Sequence, residues 1–440
     1  MTIHKNIIVC LAIFGLQICY SQSPLQSGPM LGYTDMKETA IWIQTRQEAE
    51  VSIRYWIKGN KGEFYTTSKV QTLQNTACTA TLIANKVEPG NVYQYQVVVD
   101  GTEVDIKYPT EFRTQPIWKW RTEPPNFTFA TGSCAYVNEE SHDRPGAPYG
   151  EGYEIFEAIY KSKPDLMVWL GDNTYLREPD WHTWTGILHR WTHTRSLPEL
   201  QPMLASVHHY AIWDDHDYGP DNSDRGWWNK NKTFEAFKLF WANPSYGVGD
   251  TKGVFTHFQW NDVDFFLLDN RFYRSPNNLI ADNKSILGEE QKQWLKDALV
   301  YSEANFKVVA IGGQFLNTAA KFETYANYGF GKERQEIIDF IDKQKIKNVV
   351  FVTGDRHHSE LSVFKEDNKP RIIDVTVSPF TSGLGKAKDE GNTLRVEGTY
   401  VEVRNYALIS FSGTSKKRMM NIQIRDQKGK MIWEKKFEKE

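Results

Sequence analysis

The chain has 440 residues, a formal net charge of -3, 40% hydrophobic and 24% charged residues, and four cysteines. That length allows roughly two or three separately cored domains and excludes a small disulfide-stapled scaffold. With near-balanced charge and no long run of one sign, a broad basic surface for a nucleic-acid scaffold is excluded as well, so an anionic substrate must be held by local groups.

His4 and Lys5 precede an apolar run over 7–20 that ends in Cys19, Tyr20 and Ser21 before Gln22. This is a secretory signal layout, with small residues at the minus-three and minus-one positions, and predicts removal of residues 1–21. The mature protein is then extracytoplasmic, either periplasmic or secreted. The apolar run is shorter than the roughly 20 residues that span a bilayer, so no transmembrane segment is expected in the mature chain. Lipid attachment at Cys19 is the lesser alternative, because Ile18 is bulky where that signal wants a small residue. Cleavage leaves only Cys78 and Cys134, too few for a disulfide-dependent fold. Cys78 shares parity with Ala80 and Leu82 in an alternating stretch and reads as a small buried core thiol.

Over 24–117 the pattern has period two, in Ala40 to Ile43, Val51 to Trp56, Thr79 to Ile83 and Tyr93 to Val99. Short alternating strands punctuated by Gly and Asn predict a β-sandwich. The stretch from Val87 through Pro89, Gly90 and Tyr93 to Tyr95 resembles the strand entry of fibronectin type III modules, where a tyrosine closes the corner. Residues 115–125, with three prolines, read as a linker.

From Phe127 the grammar changes, and residues 125–440 form one α/β unit. Helical patterns over 152–162, 232–241, 289–301 and 333–343 alternate with apolar runs that read as strands buried on both faces. After Arg371 strands continue without helices, and Asp426 to Gly429 reads as a hairpin turn.

Four buried strands run directly into ligand-type residues. These are Gly132-Ser133-Cys134, Gly171-Asp172-Asn173-Thr174-Tyr175, Asp214-Asp215-His216-Asp217 and Gly354-Asp355-Arg356-His357-His358. In open α/β sheets ligands bind outside the carboxyl ends of the strands, so these loops should meet on one rim. Singly, each has a plain structural explanation: a turn, a solvated acidic loop, a core histidine or an inert thiol. Jointly they would repel in a low-dielectric cleft unless cations neutralise them. A thiolate and phenolate with carboxylates and imidazole suit an oxidised transition ion, whereas a sulfur-free carboxylate set suits calcium or magnesium.

The order Gly-Ser-Cys, Gly-Asp-x-x-Tyr, Trp-Asp-Asp-His-Asp, Leu-Asp-Asn-Arg and Thr-Gly-Asp-Arg-His resembles the PhoD-type alkaline phosphatases within the calcineurin-like metallophosphoesterase superfamily. The resemblance covers residues 127–382, and the β-rich start also resembles that family's N-terminal domain. It implies a four-layer α/β/β/α sandwich, preceded by an immunoglobulin- or fibronectin-like β-sandwich, and a Fe3+ ion with one or more Ca2+ ions. By position, Cys134 and Tyr175 resemble the thiolate and phenolate ligands of the iron, Asp172 the bridging carboxylate and His357 a further iron ligand. Asp215 and Asp355 resemble calcium ligands, with Asp214 or Asn173 as helpers. Two departures stand out: the signal carries no twin arginine, and the first strand ends in Gly132-Ser133-Cys134 where the wider superfamily has Asp-x-His.

The resemblance implies hydrolysis of phosphate mono- or diesters by metal-activated water, without a phosphoserine intermediate. His216 is the candidate for protonating the leaving group, with a structural partner role as its alternative. Arg356 either presents a bidentate guanidinium to phosphate or pairs with a neighbouring carboxylate. Arg271 reads as an ion pair supporting the rim. Asn317 and Thr381-Ser382-Gly383 follow strands and are candidates to face the cleft. Trp181, Trp184, Trp191, Trp227 and Trp228 read as loop packing or as an aromatic wall for the substrate's alcohol. The rival from another class is a surface binding protein whose metal cluster is structural. No oligomeric state is legible.

Overall fold

The computed structural model describes residues 22–366 and 369–440. The signal-peptide and lipid-attachment expectations on 1–21 lie outside the described residues. Among the described residues no helix is long and apolar enough to cross a membrane.

Two sheets stack at the centre. The six-stranded one runs Thr256–Trp260, Val263–Leu267, Phe306–Ile311, Val349–Thr353, Lys369–Thr376, Glu360–Glu366. The nine-stranded one runs Met431–Glu438, Met419–Asp426, Asn405–Ser412, Phe127–Gly132, Leu166–Leu170, His208–Ile212, Leu25–Thr34, Thr39–Thr45, Thr79–Ala84. Their facing surfaces form one apolar core, with Phe129, Val168 and Tyr210 from one sheet meeting Phe265, Val308 and Val352 from the other. Aromatic rings interlock across it: Phe129 meets Phe265 edge-on at 5.2 Å between centroids. Such pairs add to the area term of burial.

Helices close both outer faces. Glu289–Tyr301 and Gly331–Lys343 bury Leu295, Leu299, Ile337 and Ile341 against the outside of the six-stranded sheet. On the opposite side, Glu154–Lys161 and Lys230–Phe240 bury Ile155, Phe156, Phe237 and Phe240. The result is the expected α/β/β/α sandwich. Two helices on this face, Trp184–Arg195 and Gln201–Ser206, were not among the expected ones. The first buries Ile187, Leu188 and Trp191 but also Arg190, Thr194 and Arg195, so its sequence lacks a clean apolar stripe.

The N-terminal β-sandwich is present, and it is grafted onto the rest rather than strung beside it. Strands Glu50–Ile57 and Val92–Val99 anchor a separate six-stranded sheet. It packs on Leu25–Thr34, Thr39–Thr45 and Thr79–Ala84, the far end of the nine-stranded sheet. Thr39–Thr45 is buried at every position. Its alternate residues serve two cores, Ile41 and Ile43 facing the sandwich and Ala40 and Trp42 the central core. Tyr93 closes the expected corner, its hydroxyl accepting from the Glu88 amide at 2.7 Å. The proline-rich linker is pinned, because fully buried Arg418 donates to the carbonyls of Pro124 and Pro125.

Candidate metal centre

Parallel pairing puts the carboxyl ends of Phe127–Gly132, Leu166–Leu170 and His208–Ile212 on one edge of the nine-stranded sheet. Val263–Leu267, Phe306–Ile311 and Val349–Thr353 are likewise parallel in the other sheet. The residues after these strands meet between the two edges. Close approach there depends on glycine: a Cβ on Gly312 would meet Asp214 Oδ2 at 2.4 Å, and one on Gly354 would meet Ser133 Oγ at 2.6 Å.

At this rim three groups of residues each bring their ligand atoms within 4.8 Å of one another: Cys134, Asp172 and His357; Asp172, Asp215 and His216; and Asp214, Asp215 and Asp355. Asp172 belongs to two of them and Asp215 to two. Tyr175 joins the first, its hydroxyl donating to Asp172 Oδ2 at 3.1 Å. The thiol of Cys134 stands 3.5 Å from that same oxygen and receives a hydrogen bond from Ser378 Oγ at 3.2 Å. Four of these residues, Cys134, Asp172, Asp355 and His357, have left-handed φ between 51° and 64°. Such backbone costs about 1–3 kcal/mol per non-glycine residue and persists where the surroundings impose it, commonly at ligand clamps.

Electrostatics make the arrangement costly without a cation. Burial pushes the Asp172 carboxyl well above the ordinary range, and the charges of Asp215, Asp214 and Asp355 push it further. Burial and Asp214 raise Asp355 in the same way. Asp214 is raised by burial to about 6 against the pull of Arg271. Burial opposes ionisation of Asp215 too, but Arg271 and His216 hold it down at about 2. Burial raises the Cys134 thiol and the Tyr175 phenol, and lowers the His357 imidazole to about 4. Asp214 Oδ2, Asp215 Oδ1 and Asp355 Oδ2 are buried with no hydrogen-bond partner. Oxygens left bare in this way are what a bound cation would satisfy.

Other candidates have different surroundings. Fully buried Arg271 donates through Nε to Asp214 Oδ1, with Nη2 2.9 Å from Glu323 and 3.6 Å from Asp215. Arg356 Nη2 donates to both oxygens of Glu390 at 2.5 Å, while Nη1 donates to Phe322 O and Nε to Gln314 Oε1. This is the carboxylate-pairing alternative, and it turns the guanidinium toward the protein. His358 is fully buried, bonded through Nδ1 to Arg356 O at 2.8 Å. Asn173 donates to Ile212 O and leaves Oδ1 unpartnered. Asn317 is occupied by Gln314 and Ala319. Thr381 donates to Tyr136 O, and the amides of Thr381 and Ser382 donate to Cys134 O, so that segment braces the thiol's loop. Sequence reasoning missed Glu323, Tyr149 and Ser378, and gave Asp217 no role of its own. Only Asp217 had a local signal, as the end of the Asp-Asp-His-Asp run; it accepts from the amides of Asn173, Thr174 and Asp214.

His216 lies over the Tyr175 ring at 4.2 Å, with Nε2 3.5 Å from Asp221 Oδ1. It opens into a pocket of about 330 Å³ whose walls include Tyr136, Tyr149, Tyr175, Trp181 and Arg144. Of the tryptophans, only Trp181 lines this pocket. Trp191 is buried against Phe237 and Phe240, Trp184 donates to Asn75 O, and Trp228 is 64% exposed.

Comparison with known proteins agrees with this geometry. Residues 129–433 match the PhoD-like phosphatase family, and residues 22–117 match a domain of unknown function (DUF7800). Alkaline phosphatase D of Bacillus subtilis (strain 168) is 26% identical over 384 residues, 72% of this chain and 64% of that protein. The chain thus spans just under two thirds of that relative's length. A solved structure of PhoD superposes with a TM-score of 0.76 at 18% identity, over 96% of this chain and 91% of that one. Purple acid phosphatase PPD1 from yellow lupin (Lupinus luteus) seeds superposes with a TM-score of 0.68 at 12% identity, over 94% and 74%. These two likenesses establish the shared fold. With the family match spanning most of its length, the chain belongs to the PhoD-like phosphatase family.

Proposed function

We propose that this protein is an exported metal-dependent phosphoric ester hydrolase whose signal peptide, residues 1–21, is removed, with a sandwich domain over 24–117 and a catalytic domain over 125–440. The observation that carries the reading is the trio of overlapping ligand groups sharing Asp172 and Asp215, with bare buried oxygens directed among them.

The donor chemistry divides the site. Cys134, Tyr175, His357 and Asp172 would hold Fe3+, a sulfur and phenol set suited to an oxidised transition ion. Asp214, Asp215 and Asp355, with Asp172 shared, would hold Ca2+ through oxygen alone. Bound cations of this kind supply Lewis acidity, lowering the pKa of a water and neutralising charge on phosphoryl oxygens. The chain's own residues do the rest. His216 holds a proton at Nε2 beside Asp221 and delivers it to the leaving oxygen as the phosphorus–oxygen bond breaks and water's oxygen bonds to phosphorus. Tyr136, Tyr149 and Trp181 keep the alcohol portion oriented and partly dry. Arg356, tied to Glu390 and Phe322, is a positioning residue that fixes the turn between Asp355 and His357.

Purified protein should contain iron and calcium by elemental analysis and hydrolyse nitrophenyl phosphate, its bis ester, or both. The ratio of the two rates assigns monoesterase or diesterase preference. His216→Ala should depress turnover far more than metal content. Full metal with no turnover on either ester would sink the enzymatic reading in favour of a metal-stabilised binding protein.

A further inference from the structure

One buried carboxylate beside the centre lies outside the ligand set above. Glu323 sits on the loop between Phe306–Ile311 and Gly331–Lys343, with a side chain only 1% exposed. Its Oε2 is 2.9 Å from Arg271 Nη2 and 3.5 Å from Arg274 Nη2. Arg271 simultaneously grips Asp214 and approaches Asp215, so one guanidinium gathers all three carboxylates. The other oxygen, Oε1, is buried without a partner, the same condition as Asp214 Oδ2, Asp215 Oδ1 and Asp355 Oδ2.

Resting on the calcium reading above, we propose that Glu323 is a direct ligand of that cation through Oε1, a further carboxylate beside Asp214, Asp215, Asp355 and the shared Asp172. Further observations support it. Glu323 has a left-handed φ of 54°, as Cys134, Asp172, Asp355 and His357 do. That conformation is imposed, since Gln314 N donates to Glu323 O at 3.1 Å and a Cβ on Gly313 would meet the same oxygen at 2.8 Å. Charge balance points the same way: Arg271 meets Asp214, Asp215 and Glu323, Arg274 meets Glu323 alone, and Asp355 joins Asp214 and Asp215 in one ligand group, an acidic excess that a divalent cation would offset. Calcium takes 6–8 oxygens, so Asp214, Asp215 and Asp355 with the shared Asp172 leave coordination places to fill.

The alternative is that Glu323 only neutralises the two arginines. Glu323→Asp separates the roles, because it keeps the charge but withdraws the oxygen by one methylene. Metal-stripped wild type, Glu323→Asp and Glu323→Gln would be titrated with calcium, and with terbium as a luminescent substitute whose lifetimes in H2O and D2O count coordinated waters. A ligand role predicts at least a tenfold loss of calcium affinity in both variants, about one extra water on terbium in Glu323→Asp, and, in each protein before its metals are stripped, an unchanged iron absorption band. Wild-type affinity and water count in Glu323→Asp would overturn the proposal while leaving the calcium site standing. If Glu323→Asp does not fold, as judged by circular dichroism, wild-type affinity in Glu323→Gln overturns it equally. Failure of the wild type to take up calcium would instead bring down the calcium reading itself.

Discussion

Asp214 offers a quantitative handle on how far this centre depends on its cations. Its carboxyl is buried, and burial raises it to about 6 from an ordinary 3.8 although Arg271 pulls the other way. A raised carboxyl binds its proton more tightly in the folded state. Its contribution to metal-free stability is therefore fully present below 3.8 and lost as pH rises through about 6. A shift of that size corresponds to about 3 kcal/mol. Absolute stability against pH will not isolate this term, because burial holds His208 and His357 at about 4 and His209 at about 3, and these gain stability as pH rises. The difference between wild type and Asp214→Asn cancels the histidines. In metal-stripped protein, urea unfolding should show the variant gaining on wild type by about 3 kcal/mol between about pH 4 and about pH 7, then levelling. Asp355, pushed up partly by Asp214, moves in the same sense. Calcium at about a hundred times its dissociation constant should add about 2.7 kcal/mol to wild type at neutral pH, offsetting much of the loss there. A wild-type-to-variant difference that stays flat with pH would refute the buried, cation-dependent account of Asp214.

Replacing Tyr175 by Phe should abolish or shift a visible tyrosinate-to-iron band; an unchanged spectrum removes Tyr175 from the site. Gly312→Ala drives a methyl against Asp214 Oδ2 and Asn270 Nδ2, so calcium affinity should drop at least tenfold while the iron band survives. Equal loss of both signals would show that Gly312 serves the fold rather than one half of the centre.

Much of the site was legible because its signal is local. An apolar run buried on both faces can only be a central strand, and ligand-type residues immediately after it mark the carboxyl edge. Cys134, Asp172, Asp215 and Asp355 each carry that signature, and the structure brings them together on one rim. Tyr175 and His216 followed because each lies within three residues of such a ligand-type residue, Asp172 or Asp215, and the two rings meet tilted at 4.2 Å between centroids.

What the sequence by itself determined was thus the layering and the edge at which polar groups gather, since periodicity and strand-end residues are properties of neighbours along the chain. Only the tertiary structure decided what those groups face. Arg356 reads equally well as a phosphate clamp until Glu390, Phe322 and Gln314, all distant in sequence, take up its Nη2, Nη1 and Nε donors. Glu323 has no apolar strand before it and no motif around it, yet Arg271 and Arg274 draw it into the centre. The sharing of Thr39–Thr45 between two cores is equally silent in its residues, because a strand buried on both faces looks the same whether one domain or two cover it. Side-chain pairing and sheet partnership are set by groups far apart in sequence, and the physical cause of each becomes visible only once those groups are in contact.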